Sequence, residues 1–541
     1  MNSVFLIVGS LVAFIVAYAT YGAWLTKKWG VDESIKTPAH TMTDGVDYVP
    51  AKAPVVLGHH FASIAGAGPI NGPIIAAAFG WLPVMLWIVL GSIFFGGVHD
   101  MGSLFASVRH EGKSIGEVIG DTMGSKGKKL FAVFAWLTLI LVVAAFTNIV
   151  ANAFVASPSA ATASLLFILL AIGFGMVVYR GNVNLGIGTV VGVALMALSI
   201  WLGVQFPIAL SAQNWMVLMI IYIFIASVTP VWILLQPRDY LNSFLLYAML
   251  AGGIIGLLVM RPAIQLPAVT SFAPSTYNLM FPMLFVTIAC GAISGFHSLV
   301  GSGTTSKQLD SEKDVKLVGY GAMLIEGVLA TLAIITAAYI TQAQLGELSG
   351  AGGPVNVFAT GLGTFMAAFG VEFALAKTFV TLAVSAFALT SLDTATRLAR
   401  FIFQEFFEVD PEKNPNAAAA ANIMTNKYVA TLITVVLGGF LAFSGWTRIW
   451  PIFGSANQLL AALTLLALAV WFKQTGKEYR MASYPMAFMF AVTLVALVLL
   501  MIQNLTNPLL LFFAVALFVL AIVLILESQK AFKVIPKEIK E

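Results

Sequence analysis

The sequence predicts an all-α polytopic membrane protein with about 15 transmembrane helices. Composition is the first observation behind this reading. Of 541 residues, 60% are hydrophobic and 10% are charged, with a mean hydropathy of +0.94; a soluble domain carries roughly 25% charged residues. Such a chain cannot cover itself with polar groups, so most of its surface must face lipid. The second observation is that apolar residues gather into runs near the roughly 20 residues that cross a bilayer.

Those runs fall at 4–25, 54–79, 82–108, 130–155, 160–179, 186–206, 214–236, 239–260, 281–305, 316–340, 373–398, 428–449, 452–472, 483–502 and 508–527. Lysine and arginine orient them, because basic residues collect on the cytoplasmic side. With the N-terminus outside and strict alternation, only Arg261 and Arg448 of the 28 basic residues fall in outer loops, and Lys377 lies within a helix. The C-terminus is then cytoplasmic. The first run is followed, not preceded, by basic residues (Lys27 and Lys28), the reverse of a secretory signal. It reads as a retained helix. A net charge of +4 is too small to suggest a nucleic-acid partner, the single cysteine Cys290 excludes an intrachain disulfide, and no cofactor is indicated.

The loops are short. The outer segment 341–372, with its AGGP at 351–354, reads as a structured loop, a re-entrant segment being the alternative. The chain divides into an extra helix and cytoplasmic loop (1–53), a core (54–404), and a C-terminal part (405–541) with a cytoplasmic loop, four helices and a basic tail.

Run 54–79 is unusual. Five of the nine residues from Ala65 to Pro73 are Gly or Pro, so a continuous helix is disfavoured there. Backbone groups freed at that depth survive only against protein or a wet cavity, which is how many secondary transporters build their sites. A tightly packed kink is the plainer alternative. A matching break is expected at Ser227–Pro237 or at Gly291–Gly303. If the run at 214–236 opens a second, inverted half, the ten runs from 54 to 398 divide five plus five.

Ionisable residues inside a membrane are costly and point to function. They are His59 and His60 beside the broken run, His99 and Asp100 in FGGVHDMGS, His297 in SGFHSLVGSG, Glu326, Lys377 and Asp393. Histidine titrates near neutral pH, so His99, Asp100 and His297, with Asp393 behind them, suit a proton path. Asp393 and Arg397 lie four apart and suit a structural ion pair. His59, His99, Asp100 and His297 are also suitable metal ligands, without a diagnostic spacing. The hydroxyls of Ser302, Thr304 and Thr305, with carbonyls at Ala65 and Gly66, suit a cation site; sodium and proton coupling both stay open. A carboxylate-bearing substrate fits the freed amides around Ala65, Gly66 and Gly68, with Asn71 adding a donor and Glu326, Asp100 or Asp393 available to an amine. No phosphate-binding loop GxxxxGK[ST] and no GxSxG elbow is present, so the chain is not read as an enzyme.

The blocks APVVLGHHFASIAGAGPINGP (53–73), FGGVHDMGSLFASVRHEGKSIGEVIG (95–120), PVWILLQPRDYL (230–241), SGFHSLVGSGTTSKQL (294–309), GYGAMLIEG (319–327), SLDTATRLARFIFQE (391–405) and IWPIFGSANQLLAA (449–462) resemble the carbon starvation protein A family. The resemblance implies a LeuT-like core of five-plus-five inverted helices. It also implies uptake of peptides, or of pyruvate with protons, across the bacterial inner membrane. The expectation is a secondary active proton symporter for a small nutrient. A metal carrier, a nutrient sensor and a membrane enzyme are the alternatives.

Overall fold

The computed structural model describes residues 2–44, 47–181, 183–230, 233–275, 278–407 and 422–532. The middle of the 399–427 loop and the basic tail beyond 532 lie outside these. Twelve helices are long and apolar enough to cross a membrane, a bent pair makes a thirteenth, and Ala212–Val228 and Lys427–Ala442 are shorter apolar helices. All fifteen runs read from the sequence correspond to these.

We number the helices in order. They are α1 Val4–Trp29, α2a Ala53–Ile64 with α2b Gly68–Ala76, α3 Trp81–Arg109 and α4 Ile115–Ala156. Next come α5 Pro158–Val178, α6 Leu185–Gln205, α7 Ala212–Val228 and α8 Leu235–Met260. The second broken helix is α9a Met280–Ile288 with α9b Gly295–Gly303, followed by α10 Lys316–Ala338, α11 Gln342–Ala367 and α12 Phe373–Phe407. The chain continues through α13 Lys427–Ala442, α14 Trp446–Gln474, α15 Arg480–Gln503 and α16 Pro508–Phe532.

The two long helices α4 and α12 pack against each other as a central support, and α14 packs along α4. The apolar window of α14 is wholly buried, whereas only 22% of that of α1 and 33% of those of α6 and α16 are buried, as in peripheral helices that face lipid. The broken helices α2 and α9 run antiparallel: the start of α2 lies beside the end of α9, where the Ala51 amide donates to the Gln308 carbonyl at 2.9 Å.

One open alternative closes and one expectation needs correction. The second broken helix is α9; α7 ends at Val228 before Pro230 and α8 begins afresh at Leu235. Pro230 disfavours helical dihedrals at Thr229, which is extended, so the chain ends one helix there and starts another. Segment 341–372 is also no loop. It forms α11, bent at Gly352 and Gly353, whose second part from Gly353 onward is largely buried against α8 and α12.

Candidate functional site

The break in α2 follows from its prolines. Pro69 lacks an amide donor and its ring clashes with the carbonyl four residues back, which is that of Ala65. The helix accordingly stops at Ile64, Ala65 leaves helical dihedrals (φ −75°, ψ 56°), and α2b resumes at Gly68, bent by 47°. In α9 the chain passes through a short 3₁₀ turn, Ala289–Gly291, before α9b. The first turn of α9b is satisfied from outside: Asn457 on α14 accepts from the Phe296 amide at 2.9 Å and donates to Ser294 Oγ at 3.0 Å. The two breaks meet face to face. A Cβ on Gly72 would stand 2.4 Å from the Ile288 carbonyl oxygen, and one on Gly68 would stand 2.6 Å from Cys290 Sγ in the turn that breaks α9. Only glycine permits this approach. Asn71, on α2b between the breaks, is fully buried, and neither atom of its amide finds a hydrogen-bond partner among the described residues.

Beside the breaks lies a buried chain of imidazoles and carboxylates. Asp100 on α3 receives His99 Nδ1 on one oxygen at 2.6 Å and His297 Nδ1 on the other at 2.7 Å. The far nitrogen of His297 stands 3.3 Å from Glu326 on α10. All four residues are at most 2% exposed. Both oxygens of Glu326 and the Nε2 atoms of His99 and His297 lack a hydrogen-bond partner in proper geometry among the described residues. The chain thus ties α9b to α3 and α10. It holds proton donors and acceptors in series in a buried site, and their charges are interdependent because an isolated one would be costly there.

A second network ties α7, α8 and α12. Arg238, 1% exposed, donates to Asp393 and to the Tyr222 hydroxyl, the latter at 2.7 Å, while Tyr222 donates to Asp393 at 2.9 Å. Asp239 receives Arg238 at 3.2 Å and Thr390 at 3.1 Å, and Asn242 donates to Thr390 at 2.8 Å.

A cavity of about 370 Å³ opens at the end of the bundle that carries Lys128, Lys307 and Glu405. It runs inward between α2a, α9b, α8 and α12 as far as Ser63, Ser302, Asp239 and Thr394, two residues short of the α2 break. At the opposite end segment 262–270 packs against the turn between α2b and α3: the amides of Trp81 and Leu82 donate to the carbonyls of Pro267 and Ala268, and the Thr270 amide donates to the Phe79 carbonyl. Paired broken helices beside a cavity are how many alternating-access transporters build their sites.

The sequence decides which one. A family model described as carbon starvation protein CstA matches residues 2–352 and 341–496. This chain belongs to the CstA family. The peptide transporter CstA of Bacillus subtilis is 35% identical over 512 residues, covering 86% of this chain and 84% of its own. The pyruvate/proton symporter BtsT of Escherichia coli is 31% identical over 569 residues, covering 88% and 79%. Among solved structures, a manganese transporter of Eremococcus coleocola superposes with a TM-score of 0.52 at 12% identity, covering 91% of this chain and 99% of that one. That likeness concerns the fold alone.

In this CstA-family chain the sequence candidates separate into groups. His99, Asp100, His297 and Glu326 come together as one chain. Asp393 lies elsewhere, in the Arg238 network, and not in the expected pair with Arg397. Arg397 and Arg400 instead donate to the last carbonyls of α7, Arg397 to Ala226 and Thr229 and Arg400 to Ser227, as cations at a helix C-terminus do. His59 faces the cavity and is not with the other proposed metal ligands. Among the described residues no group of three or more His, Cys, Asp or Glu is arranged to hold a metal ion. Ser302 accepts from the Ile115 amide at 3.0 Å and donates to the Ser298 carbonyl, Thr304 bonds Val300, and Thr305 pairs with His60 Nδ1 at 2.8 Å. The hydroxyl that meets Gly66 is Ser391. Sequence reasoning missed Arg238, Asp239, Tyr222 and Asn457. Arg238 and Asp239 stand inside the family block at 230–241, and two adjacent charges beside Pro237 pass for a loop until their buried partners are seen.

Proposed function

We propose that this chain is a proton-driven symporter that carries a small nutrient, a peptide or pyruvate, into the cell across the bacterial inner membrane. The observation that carries the proposal is the buried His99–Asp100–His297–Glu326 chain, which joins the movable half-helix α9b to α3 and α10. Its relatives and its fold neighbour are transporters, and a relative named as a proton symporter favours protons over sodium.

The mechanism follows from charge balance. A buried ion pair holds two elements together only while its charges match, and removing one charge leaves the other uncompensated. Loading or releasing one proton on this set alters the attraction of α9b for α3 and α10. Because α9b forms one wall of the cavity, proton occupancy becomes a change in access. Substrate would bind beside the paired breaks, with the amides that open α2b around Ala65, Gly66 and Gly68 receiving a carboxylate and Asn71 supplying its unpaired amide. The cavity would face the cytoplasm, with the N-terminus outside and the C-terminus inside, in keeping with the basic residues at its mouth. The packing supports a core from α2 to α14, longer than 54–404: α8 contacts α2a and α12 as α14 contacts α9 and α4. In this division α5–α6 and α11 are insertions and α1, α15 and α16 are peripheral.

The test is uptake of labelled pyruvate and a labelled dipeptide into proteoliposomes under an inward proton gradient. Accumulation of either that vanishes when a protonophore collapses the gradient supports the proposal. Accumulation unchanged by the protonophore rejects proton coupling.

A further inference from the structure

His60 is a buried imidazole that the coupling chain does not include. It sits on α2a, 1% exposed, next to His59, which faces the cavity. Its Nδ1 pairs with Thr305 Oγ1 at 2.8 Å, in the turn after α9b whose neighbours Thr304 and Lys307 line the cavity. Its Nε2 has no hydrogen-bond partner among the described residues. A Cβ on Gly301 would stand 3.8 Å from His60 Cε1 and 3.9 Å from Ser103 Oγ, so both groups flank the same point of α9b. Gly301 follows His297 by one helical turn, about 5.4 Å along the axis, on the way to Ser302 and Gly303 of the cavity wall. Ser103 follows Asp100 on α3 and donates to its carbonyl at 3.1 Å. Of the titratable groups around His60, Asp100, His297 and His59 act on it most strongly. The ring thus stands one turn from the chain, with its bonded nitrogen on the cavity-lining turn.

We propose that His60 relays protons between the Asp100–His297 chain and the cavity, across the space that Gly301 leaves open. This rests on the transport reading above and gives its proton a route. An imidazole takes a proton on one nitrogen and gives one from the other. A proton leaving the chain is taken on Nε2, and the ring becomes an imidazolium. The Nδ1 proton then passes to the Thr305 hydroxyl, which gives up its own toward the cavity, and the ring is neutral again. Such a relay sets the rate of coupling and not its driving force, which separates His60 from His297.

The experiment is uptake of labelled pyruvate and labelled dialanine by the full chain in proteoliposomes under an inward proton gradient, with solute exchange in gradient-free proteoliposomes as reference. His60→Asn keeps an amide for Thr305 and cannot titrate. Gly301→Ala adds a methyl at ordinary contact distance from His60 and Ser103 and leaves every titratable group in place. The initial rate of accumulation relative to exchange is expected to fall about tenfold or more in His60→Asn, since a positioned side chain speeds proton transfer by roughly 10²–10⁴-fold. A smaller fall is expected in Gly301→Ala. Both variants should reach the wild-type final level, and deuterium oxide should slow both more than the wild type. A wild-type ratio in either variant overturns the proposal. So does a lowered final level, which would make His60 part of the coupling set, and so does equal slowing of accumulation and exchange, which would make it structural. Should His60→Asn fail to fold, Gly301→Ala decides alone. Failure of the transport reading shows already in the wild type, where accumulation is then absent or survives a protonophore.

Discussion

Asp100 on α3 and His297 on α9b share a hydrogen bond of 2.7 Å, with neither side chain more than 1% exposed. It spans the gap between an unbroken helix and a half-helix that bounds the cavity. In the mechanism proposed above this bond links protonation to movement, so removing it should uncouple the two.

Replacing His297 with alanine is therefore expected to abolish proton-driven accumulation while leaving substrate exchange across the membrane. The bond is charge-assisted, worth roughly 1.5–3 kcal/mol, so gradient-driven uptake should fall about 10- to 100-fold. Counterflow of labelled substrate in gradient-free proteoliposomes checks the second half. Loss of both activities in a folded variant would make His297 structural.

The Arg238 network should be intolerant of single changes. Arg238→Ala strands Asp393 and Asp239 without a counter-charge, which for a buried pair costs roughly 3–5 kcal/mol. A large fall in the detergent unfolding temperature is expected. The double variant Arg238→Leu with Asp393→Leu should recover part of it, because one of the two carboxylates left without Arg238 is gone. Equal instability of single and double variants would show that packing, not charge, holds these helices.

Gly72 tests the contact between the breaks. Gly72→Ala places a methyl 2.4 Å from the Ile288 carbonyl, and overpacking of this kind costs roughly 1–3 kcal/mol. Gly9→Ala, where nothing lies within 4 Å, is the matched control and should be neutral. Both are read by thermal unfolding and uptake; a neutral Gly72→Ala would mean that the two half-helices are not pressed together.

At the open end, Arg109 makes two bonds to the fully buried Glu312, at 2.7 and 2.8 Å, and Glu312 also accepts from the Asp32 amide at 2.8 Å. This pins the loop after α1 to the segment joining α9 and α10. Arg109 is 25% exposed, so Arg109→Ala should cost near the low end of the buried-pair range, about 3 kcal/mol. Limited proteolysis between Trp29 and Lys52 should accelerate with it. Unchanged cleavage would place the loop's anchor elsewhere, as at Lys477, which donates to the Trp29 carbonyl.

Much of this was legible in the amino acids. Fifteen helices follow from apolar runs, and the α2 break follows from Pro69 and its glycines, because both signals are local. His99, Asp100, His297 and Glu326 could be named individually, since ionisable residues in apolar helices stand out. Their meeting could not, because it depends on how α3, α9b and α10 pack. Arg238 shows the limit most clearly. Beside Pro237 it has the local signature of a loop cation, and only Asp393, 155 positions away, reveals it as a buried one. Asn457 capping α9b from α14 is equally non-local. Helix α11 escaped for a different reason: its glycines read as a structured loop, although two of them bend a helix.

The most direct test of the coupling claim is the movement of protons themselves. Proteoliposomes in weakly buffered medium, with a pH-sensitive dye outside and no imposed gradient, should show alkalinisation when the transported solute is added to wild-type protein. The same addition to His297→Ala should leave the pH unchanged while exchange persists. Solute uptake by the wild type with no alkalinisation would contradict proton symport. Alkalinisation undiminished in His297→Ala would contradict the role given to the buried chain.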